Sequence, residues 1–336
     1  MVDRIRRFVA GAPELESSQL LRSFASWDDV DSTVVQVCHP DWRGVRTATR
    51  AFRTPIIESS DFAPFADSLA DELTSHGVST LVVQAWPEGS ATLLEAAARR
   101  GIGTRVISHS SMAQHGTDAG EGEAVTVAFA LAARGIVQKV GFVKEGLAEA
   151  FAAMGHPAVY VPNRTPDLPP YEATDLGDGV HVGILLDPYW RKNVTTQVGA
   201  ATILGATAHV NRTPDVGYLD GLSIVEHGSI PWETFIGLQA SMDLNMNVTL
   251  SECHPMSPME SYLTGVPSLV SATSSLFRDD PGLYEMTTVS ETDNPRAIAE
   301  GASRLLDARS EAVERAVAWM DRHDVIARDR FADFVD

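Results

Sequence analysis

The sequence predicts an α/β protein made of two units in tandem, each with a parallel sheet covered by helices on both faces. Apolar, β-branched runs alternate with helical patterns along most of the chain, which is typical of parallel sheets. The alternation stops once, at a stretch rich in proline, glycine and aspartate over residues 163–179, and then restarts. The length of 336 residues also indicates about two domains.

The first unit is predicted from strands and helices that follow one another before residue 163. The run TVVQVC at 33–38 is β-branched and ends at His39-Pro40, and the helical pattern at 91–100 ends at Gly101. An apolar run lies at 55–57. The predicted strands are 33–38, 80–85, 104–108, 137–142 and 158–162, and the predicted helices are 44–52, 62–76, 91–100, 122–135 and 144–154.

The second unit begins after the stretch at 163–179, which we interpret as the linker between domains. The predicted domains are residues 1–170, residues 171–310 and a helical tail at 311–336 that packs back toward the first domain. The predicted strands of this part are 181–186, 206–211, 246–250 and 268–270, and the predicted helices are 194–204, 232–242, 258–264, 295–306 and 310–323.

Charge and composition exclude several classes of protein. The formal charge is −19, from 26 basic and 45 acidic residues, which argues against a protein that coats nucleic acid or an anionic membrane. No apolar run is long enough to predict a membrane helix, and the first nine residues lack the apolar core of a secretory signal. Cys38 and Cys253 are far apart, which predicts neither a zinc site nor a disulfide framework. We therefore predict a cytoplasmic protein with reduced thiols.

The segment after the predicted strand 246–250 carries the main functional signal. It reads SECHPMSPMESYLTGVPSLVS, with Glu252 and Glu260 separated by seven residues. Its Ser257-Pro258 pair suits the N-cap and first turn of a helix. In open α/β sheets, ligands bind at the carboxyl ends of the strands, where backbone N–H groups of a following helix meet anions. The pattern predicts an anion-binding loop that runs into a helix.

These residues resemble the retaining GT-B glycosyltransferases of the family 4 type. The signature of that family is a strand, a Glu, seven residues, a second Glu at a helix start, and a small-Gly-x-Pro turn. Here the two carboxylates are Glu252 and Glu260, and the turn is Thr264-Gly265-Val266-Pro267.

Other segments extend the resemblance over roughly residues 33–306, and it is strongest over 181–270. The Arg-Lys-Asn step at 191–193 resembles the basic step that follows the first strand of the family's second domain. His109, in RVISHSS, resembles the first-domain histidine that faces the donor sugar. The passage between domains normally ends in Pro-Asn-Gly, and Arg164 stands in place of that glycine.

The resemblance implies a GT-B fold, in which two Rossmann-like domains have parallel sheets that face a central cleft. The first domain would bind the acceptor and the second the nucleotide-sugar. The implied activity is transfer of a sugar from a nucleotide-sugar, with a UDP-sugar as the default, to a hydroxyl acceptor with retention and without an obligatory metal. The nucleotide-sugar is a co-substrate, so no cofactor is expected.

The resemblance also implies how the donor is held. Arg191 and Lys192 would neutralise the departing diphosphate together with backbone N–H groups at 256–259. Glu260 would bind the ribose, while Glu252 and His109 would hold the hydroxyls of the sugar. The predicted catalytic residues are Glu252, Lys192, Arg191 and His109, and the predicted donor-binding residues are Glu260, His254, Met256, Ser257, Pro258, Met259 and Asn193.

Four arginines form a separate signal after the first strand. Arg43, Arg46, Arg50 and Arg53 are spaced three, four and three apart, which places them on one side of the segment if it is helical. They are either a solvated face paired with carboxylates or a rim that binds an anionic acceptor, such as a sugar phosphate, a lipid phosphate or modified DNA. The predicted acceptor-binding residues are Trp42, Arg43, Arg46 and Arg50.

Two other functions stay open at this point. One is a glycosyltransferase that modifies hydroxylated DNA bases through the arginine rim. The other is a non-catalytic nucleotide-binding protein of the same fold, which the departure at Arg164 favours. An epimerase or phosphorylase is less favoured, because a phosphorylase needs a pyridoxal-phosphate lysine and the chain has few lysines. Asp29 and Asp31 match a metal-binding Asp-x-Asp pattern, but they precede the first strand, so we predict a solvated turn and no metal site.

Overall fold

The computed structural model describes residues 33–217 and 221–336. Asp29 and Asp31 therefore lie outside the described residues. Two six-stranded sheets follow one another along the chain, and every pairing between neighbouring strands is parallel. The predicted α/β class with two parallel sheets is confirmed.

The first sheet has the strand order β2-β1-β3-β4-β5-β6. The strand Thr80–Gln84, with the sequence TLVVQ, lies inside this sheet and is buried along its whole length, as expected for a strand with helices on both faces. The apolar run at 55–57 overlaps the edge strand of this sheet. The strands are β1 Val34–Cys38, β2 Ile56–Glu58, β3 Thr80–Gln84, β4 Gly103–Ser108, β5 Val137–Phe142 and β6 Ala158–Tyr160.

The helices of this unit follow the predicted alternation, with shifted bounds and two features that were not predicted. The first helix ends at Ala51, and Arg53 beyond it has a left-handed backbone with φ of 57°. A short helix after β4 was not predicted; the Ser111 side chain caps its N-terminus in a capping box with Gln114. The helices are α1 Arg43–Ala51, α2 Ala66–Ser75, α3 Ser90–Arg99, α4 Met112–Thr117, α5 Ala119–Ala133 and α6 Leu147–Ala153.

The second sheet has the strand order β12-β11-β10-β7-β8-β9. Its two edge strands are only two or three residues long and carry too little periodicity to be predicted. The strands are β7 His181–Ile184, β8 Thr207–Val210, β9 Ile224–Glu226, β10 Leu244–Asn247, β11 Ser268–Ser271 and β12 Thr288–Val289. The helices are α7 Val194–Ile203, α8 Trp232–Ala240, α9 Met256–Leu263, α10 Pro281–Thr287, α11 Pro295–Asp307 and α12 Arg309–Val335.

The strand predicted over 246–250 is wrong in its bounds, because β10 spans Leu244–Asn247. The residues that follow it bond to α7 and to the turn before it instead of to a neighbouring strand. The Val248 N–H donates to the Gln197 side chain at 2.9 Å, and the Leu250 N–H donates to the Arg191 carbonyl at 2.8 Å. The chain therefore leaves the sheet early and forms a loop against the first turns of α7 and the turn before it.

The C-terminal helix α12 is longer than the predicted 310–323, since no glycine or proline stops it before Val335. Its first half packs on the second unit, where Trp319 and Met320 join the cluster that holds Met259. Its last turns reach the first unit. There Phe331 and Phe334 join a cluster with Ile107 and other apolar residues, and the Arg105 side chain donates to the Phe334 carbonyl at 2.6 Å.

No helix within residues 33–217 and 221–336 is long and apolar enough to cross a membrane.

The seating of α12 on the first unit predicts a large effect for one aromatic residue. Phe334 is 2% exposed, so Phe334→Ala should lower the free energy of unfolding by about 3 to 5 kcal/mol, through lost burial and the cavity left behind. Ile326→Ala is the matched control on the same helix, because Ile326 is 49% exposed; it should change stability by no more than about 0.5 kcal/mol. Urea denaturation measures both, and equal effects would contradict the described contact.

Candidate active site

The centre of the candidate site is an ion pair between two neighbouring strand ends of the second sheet. Lys192 lies in the turn that follows β7, and Glu252 lies in the loop that follows β10, which is hydrogen-bonded to β7. The Lys192 ammonium donates to Glu252 Oε2 at 2.6 Å, and an Arg191 guanidinium nitrogen lies 3.8 Å from the same oxygen. Parallel strands bring their carboxyl ends to one edge, which is why residues 60 positions apart meet there.

Burial and charge act in opposite directions on Glu252, which is only 9% exposed. Burial alone would raise the pKa of its carboxyl group. The positive charges of Lys192 and Arg191, with hydrogen bonds from Lys192 and the Cys253 N–H, outweigh burial and hold that pKa below its usual value. Glu252 is therefore ionised at neutral pH and is matched by two cations.

Asn193 and Gln197 fix the position of this cationic turn. Asn193 has a left-handed backbone with φ of 56°, and its side-chain N–H groups donate to the carbonyls of Val248 and Thr292. Gln197 is fully buried; its side chain donates to the Lys192 carbonyl and accepts from the Val248 N–H. Both Nδ2 hydrogens of Asn193, a predicted donor-binding residue, are thus used within the protein. Gln197 was missed, because a single Gln in a helix gives no signal in the sequence.

Helix α9 begins one turn after Glu252, at Met256, and the prediction that Ser257 caps it is wrong. Pro255 occupies the N-cap position, and no side chain caps the first turn. Ser257 instead accepts a hydrogen bond from Gln239 at 2.8 Å. Pro255 and Pro258 carry no N–H, so the first turn has two N–H groups without an intrahelical partner, those of Met256 and Ser257, and these can meet an anion.

The side chains of the first turn of α9 belong to the core. Met256 is 5% exposed and Met259 is fully buried, in the cluster with Tyr262 and Trp319. Pro258 is also buried. Only the backbone of these predicted donor-binding residues is therefore left to contact a ligand.

Glu260 lies in a different environment from Glu252. It is fully buried in α9, where its two oxygens accept from Trp232 Nε1 at 3.2 Å and from an Arg43 guanidinium nitrogen at 3.4 Å. Burial raises the pKa of Glu260, and the charge of Arg43 offsets this only in part. The guanidinium of Arg43 also lies 3.7 Å from the centre of the Phe235 ring.

The two carboxylates of the sequence motif thus have separate cationic partners. Lys192 and Arg191 lie against Glu252, whereas Arg43, a predicted acceptor-binding residue, lies against Glu260. The contact between Arg43 and Glu260 joins α1 of the first unit to α9 of the second.

The other predicted arginines are also paired. Arg50 lies 3.1 Å and Arg46 lies 4.0 Å from Glu58, and Arg46 donates to the Pro40 carbonyl. Arg53, which lies beyond the end of α1, forms a bidentate ion pair with Asp167. The four arginines therefore do not form one helical stripe, since α1 ends before Arg53. Trp42 stacks on His39 with ring centres 4.6 Å apart.

The two predicted histidines are both neutral but have different neighbours. Burial lowers the pKa of His109 to about 4, and its Nε2 lies 2.8 Å from the Gln84 side-chain oxygen. Burial also lowers the pKa of His254 well below its usual value. The His254 ring stacks on His323 of α12, and neither of its nitrogens has a partner in the described residues.

Several polar contacts join the two units around this site. The Ser111 and Ser251 hydroxyls lie 2.6 Å apart, and Asn163 donates to the His254 carbonyl at 2.8 Å. Lys144 donates to the Thr273 carbonyl across the same boundary, and burial lowers its pKa. Lys144 was not predicted as a site residue, although the scarcity of lysine in the chain was a signal for it.

Arg164, which stands in place of the family's glycine, has a structural explanation. Its guanidinium makes two hydrogen bonds to Asp324 of α12, at 2.7 and 3.0 Å. The Thr165 N–H also donates to Asp324 at 3.3 Å. Arg164 therefore bonds the passage between the units to the C-terminal helix, which a glycine at this position could not do.

Comparison with solved structures identifies the fold. The chain aligns with Anabaena Alr3699/HepE in complex with UDP over 89% of its own length and 98% of that chain, with a TM-score of 0.62 and 12% identity. The chain has the GT-B fold. Trehalose-6-phosphate from E. coli bound with UDP-2-fluoro glucose aligns over 89% and 98%, with a TM-score of 0.59 and 10% identity.

A third GT-B neighbour was solved with a sugar phosphate. It is the UDP-forming α,α-trehalose-phosphate synthase from Burkholderia xenovorans in complex with glucose-6-phosphate, which aligns over 88% of this chain and 83% of its own, with a TM-score of 0.54 and 12% identity. No protein-family model and no curated protein sequence matches the chain. At these identities the neighbours establish the GT-B fold, and the family 4 assignment stays a prediction.

The opposite environments of the two carboxylates predict opposite pH effects. Glu260 binds its proton more tightly in the folded than in the unfolded chain, so it favours folding below pH 4.5 and this contribution falls as pH rises through its raised pKa. Glu260→Gln removes that loss and keeps an acceptor for Trp232. The free energy of unfolding of the variant, relative to that of the wild type, should therefore rise as pH increases from 4.5 to 7.5.

Urea denaturation at both pH values measures this difference, with Glu300→Gln on the exposed side of α11 as the control. A Glu260→Gln variant that loses stability relative to the wild type as pH rises would contradict the assigned burial. Glu252→Gln should instead lose stability relative to the wild type as pH rises toward 4.5 and stay nearly level above it, because the folded-state pKa of Glu252 is lowered and its stabilising contribution is lost only below pH 4.5.

Proposed function

We propose that this chain is a glycosyltransferase that moves a sugar from a nucleotide-sugar donor, by default a UDP-sugar, to an acceptor hydroxyl. The observation that supports this most is the ion pair of Lys192 and Glu252 beside the uncapped start of α9. Two cations and free backbone N–H groups lie together at the carboxyl ends of strands in a GT-B fold. UDP and a UDP-sugar occupy structures of the same fold.

The chemistry of sugar transfer fits the charges of this site. When the anomeric bond breaks, negative charge grows on the leaving diphosphate. Lys192 and Arg191 are the groups we propose to neutralise it, with the N–H groups of the first turn of α9. Glu252 holds Lys192 in place in the absence of donor and would accept hydrogen bonds from the sugar hydroxyls. Retention and independence from metal are part of the proposal and come from the resemblance to family 4.

Glu260 has hydrogen-bond acceptor sites left for the proposed ribose contact. A carboxylate offers about four lone-pair sites, and Glu260 uses two of them for Trp232 and Arg43. The ribose hydroxyls would take the remaining sites. Because Glu260 is fully buried, this requires α1 to move away from α9 when the donor enters.

For the acceptor we propose a sugar phosphate. Arg46 and Arg50 share one carboxylate, Glu58, so this part of the first unit carries an excess positive charge that can meet a phosphate. A structural neighbour contains glucose-6-phosphate. Modified DNA is not supported, because a nucleic-acid backbone needs a row of free cations, whereas Arg43 and Arg53 are used by Glu260 and Asp167.

The role of Lys192 can be tested with a matched lysine. With UDP-glucose and glucose-6-phosphate as first substrates, Lys192→Ala should lower kcat/KM by about 10² to 10³, because one stabiliser of the leaving group is lost. Lys139→Ala is the control, because Lys139 lies half-buried on β5 of the first unit and its ammonium donates to the Asp333 carbonyl. Steady-state kinetics measures both variants.

Loss of folding must be separated from loss of chemistry, since Lys192→Ala leaves Glu252 with Arg191 alone. The double variant Lys192→Ala/Glu252→Gln removes both charges and should recover stability without recovering turnover. Full activity of Lys192→Ala would contradict the assigned role. Donor binding by calorimetry without turnover on UDP-, GDP- or ADP-sugars would favour the non-catalytic alternative.

The acceptor proposal predicts a salt-dependent change in KM. Arg46→Gln/Arg50→Gln should raise the KM for glucose-6-phosphate by about tenfold and weaken its dependence on salt, because less positive charge faces the phosphate. Arg304→Gln on α11 of the second unit is the control. An unchanged KM and salt dependence would indicate a neutral acceptor.

A further inference from the structure

A chain of buried side-chain amides runs across the first sheet and ends on His109. Gln36 of β1 and Gln84 of β3 are both fully buried on neighbouring strands, and His109 follows β4, the next strand of the sheet. Gln84 Nε2 lies 2.5 Å from Gln36 Oε1, and His109 Nε2 lies 2.8 Å from Gln84 Oε1. Burial of the two amides is costly unless each hydrogen bond has one donor and one acceptor.

The direction of this chain is fixed at its far end. Gln36 Nε2 lies 3.0 Å from the Thr49 carbonyl, and a carbonyl oxygen can only accept. Gln36 must therefore turn its NH₂ group toward Thr49 and its oxygen toward Gln84. A flipped Gln36 would set two oxygens against each other at hydrogen-bond distance. The Thr54 hydroxyl, 2.7 Å from the same nitrogen, accepts the other hydrogen.

The consequence passes along the chain to the histidine. Because Gln36 presents its oxygen, Gln84 must present its NH₂ group to Gln36 and its own oxygen to His109. That oxygen can only accept, so His109 must donate from Nε2. A neutral imidazole carries one proton, which leaves Nδ1 as an acceptor.

Nδ1 of His109 is free for a ligand. It has no hydrogen-bond partner within residues 33–217 and 221–336, and it is not enclosed as both ring nitrogens of His254 are. His109 also lines a cavity of about 10 Å³, whose other walls include Trp86, Ser108, Glu121 and apolar residues of β4, β5 and α5. Such a space takes a group of about the size of one water or one hydroxyl.

We propose that Gln36 and Gln84 are positioning residues that hold the proton of His109 on Nε2, so that Nδ1 accepts a hydrogen bond from a hydroxyl of the donor sugar. The identity of the ligand rests on the proposed function, whereas the position of the proton does not. A group that can only accept, such as a phosphate or carboxylate oxygen, would face the lone pair of Nδ1 and be rejected.

The proton position is measured without any substrate. In protein with ¹⁵N-labelled histidine, long-range ¹H–¹⁵N spectra at pH 7 distinguish a protonated from an unprotonated ring nitrogen, and His109→Asn assigns the signals. We expect an unprotonated Nδ1 and a protonated Nε2. A proton on Nδ1 in the wild type, alone or together with one on Nε2, would overturn the proposal.

A single exchange of amide for carboxylate tests the role of Gln84. Gln84→Glu places a negative charge against Nε2 and should raise the pKa of His109 by about one unit or more, seen as a second ring proton appearing at higher pH. Gln138→Glu is the control in the same sheet, since Gln138 pairs with Arg105. An unchanged titration of His109 in a folded Gln84→Glu variant would remove Gln84 from the assigned contact. If that variant does not fold, the wild-type spectrum still decides the proton position.

Fluorinated donors test the hydroxyl contact. Fluorine cannot donate a hydrogen bond, so among UDP-glucose analogues with one hydroxyl replaced by fluorine, one should bind about tenfold more weakly than UDP-glucose. That loss should vanish in His109→Ala, whereas UDP itself should bind both proteins equally. If no analogue shows this pattern while UDP-glucose binds, the hydroxyl contact is wrong. If no UDP-sugar binds at all, the proposed function fails, and the spectra report the proton position separately.

Discussion

The ion pair between Lys192 and Glu252 is the interaction on which the candidate site depends. A carboxylate that is 9% exposed is stable only with its charge matched, and here the match comes from a different strand end. The order of the sheet makes this possible, because β10 pairs directly with β7 and both loops leave from the same edge. Gln197 and Asn193 then bond the two loops together, so the cations keep their place when no ligand is bound.

The two units are held by apolar contacts along α12 and by both apolar and polar contacts around the site. Helix α12 packs apolar residues on both units and takes Arg164 of the connecting passage through Asp324. Around the site the units meet through small apolar contacts, of Ala48 with α9 and of Cys253 with Phe52 and its neighbours. They also meet there through polar contacts, which are the hydroxyls of Ser111 and Ser251 and the pair of Arg43 and Glu260. Water or a ligand can replace such polar contacts at little net cost. Opening of the cleft should therefore occur at the site, while α12 keeps the units joined.

The sequence predicted the fold well because helix and strand periodicities are local. The β-branched runs and Gly101 suffice for most elements of the first unit, and the meeting of Lys192 with Glu252 follows once parallel strands are assumed. Three features could not be predicted. The end of α1 before Arg53 depends on a left-handed residue, the burial of Glu260 depends on Arg43 from the other unit, and the chain from Gln36 to His109 depends on strand order. Contacts between distant residues leave no periodic trace in a single sequence.

Glu252 and Glu260 differ in the unit that supplies their cationic partners. Both belong to one short motif, yet the pKa of Glu252 is lowered and that of Glu260 is raised. The difference comes from their partners. The cations beside Glu252 belong to its own unit and remain beside it when the cleft opens. The cation beside Glu260, Arg43, belongs to the other unit. Opening would leave Glu260 without its cation but accessible to water, so its carboxylate would become free to accept hydroxyl groups at the moment a donor can enter.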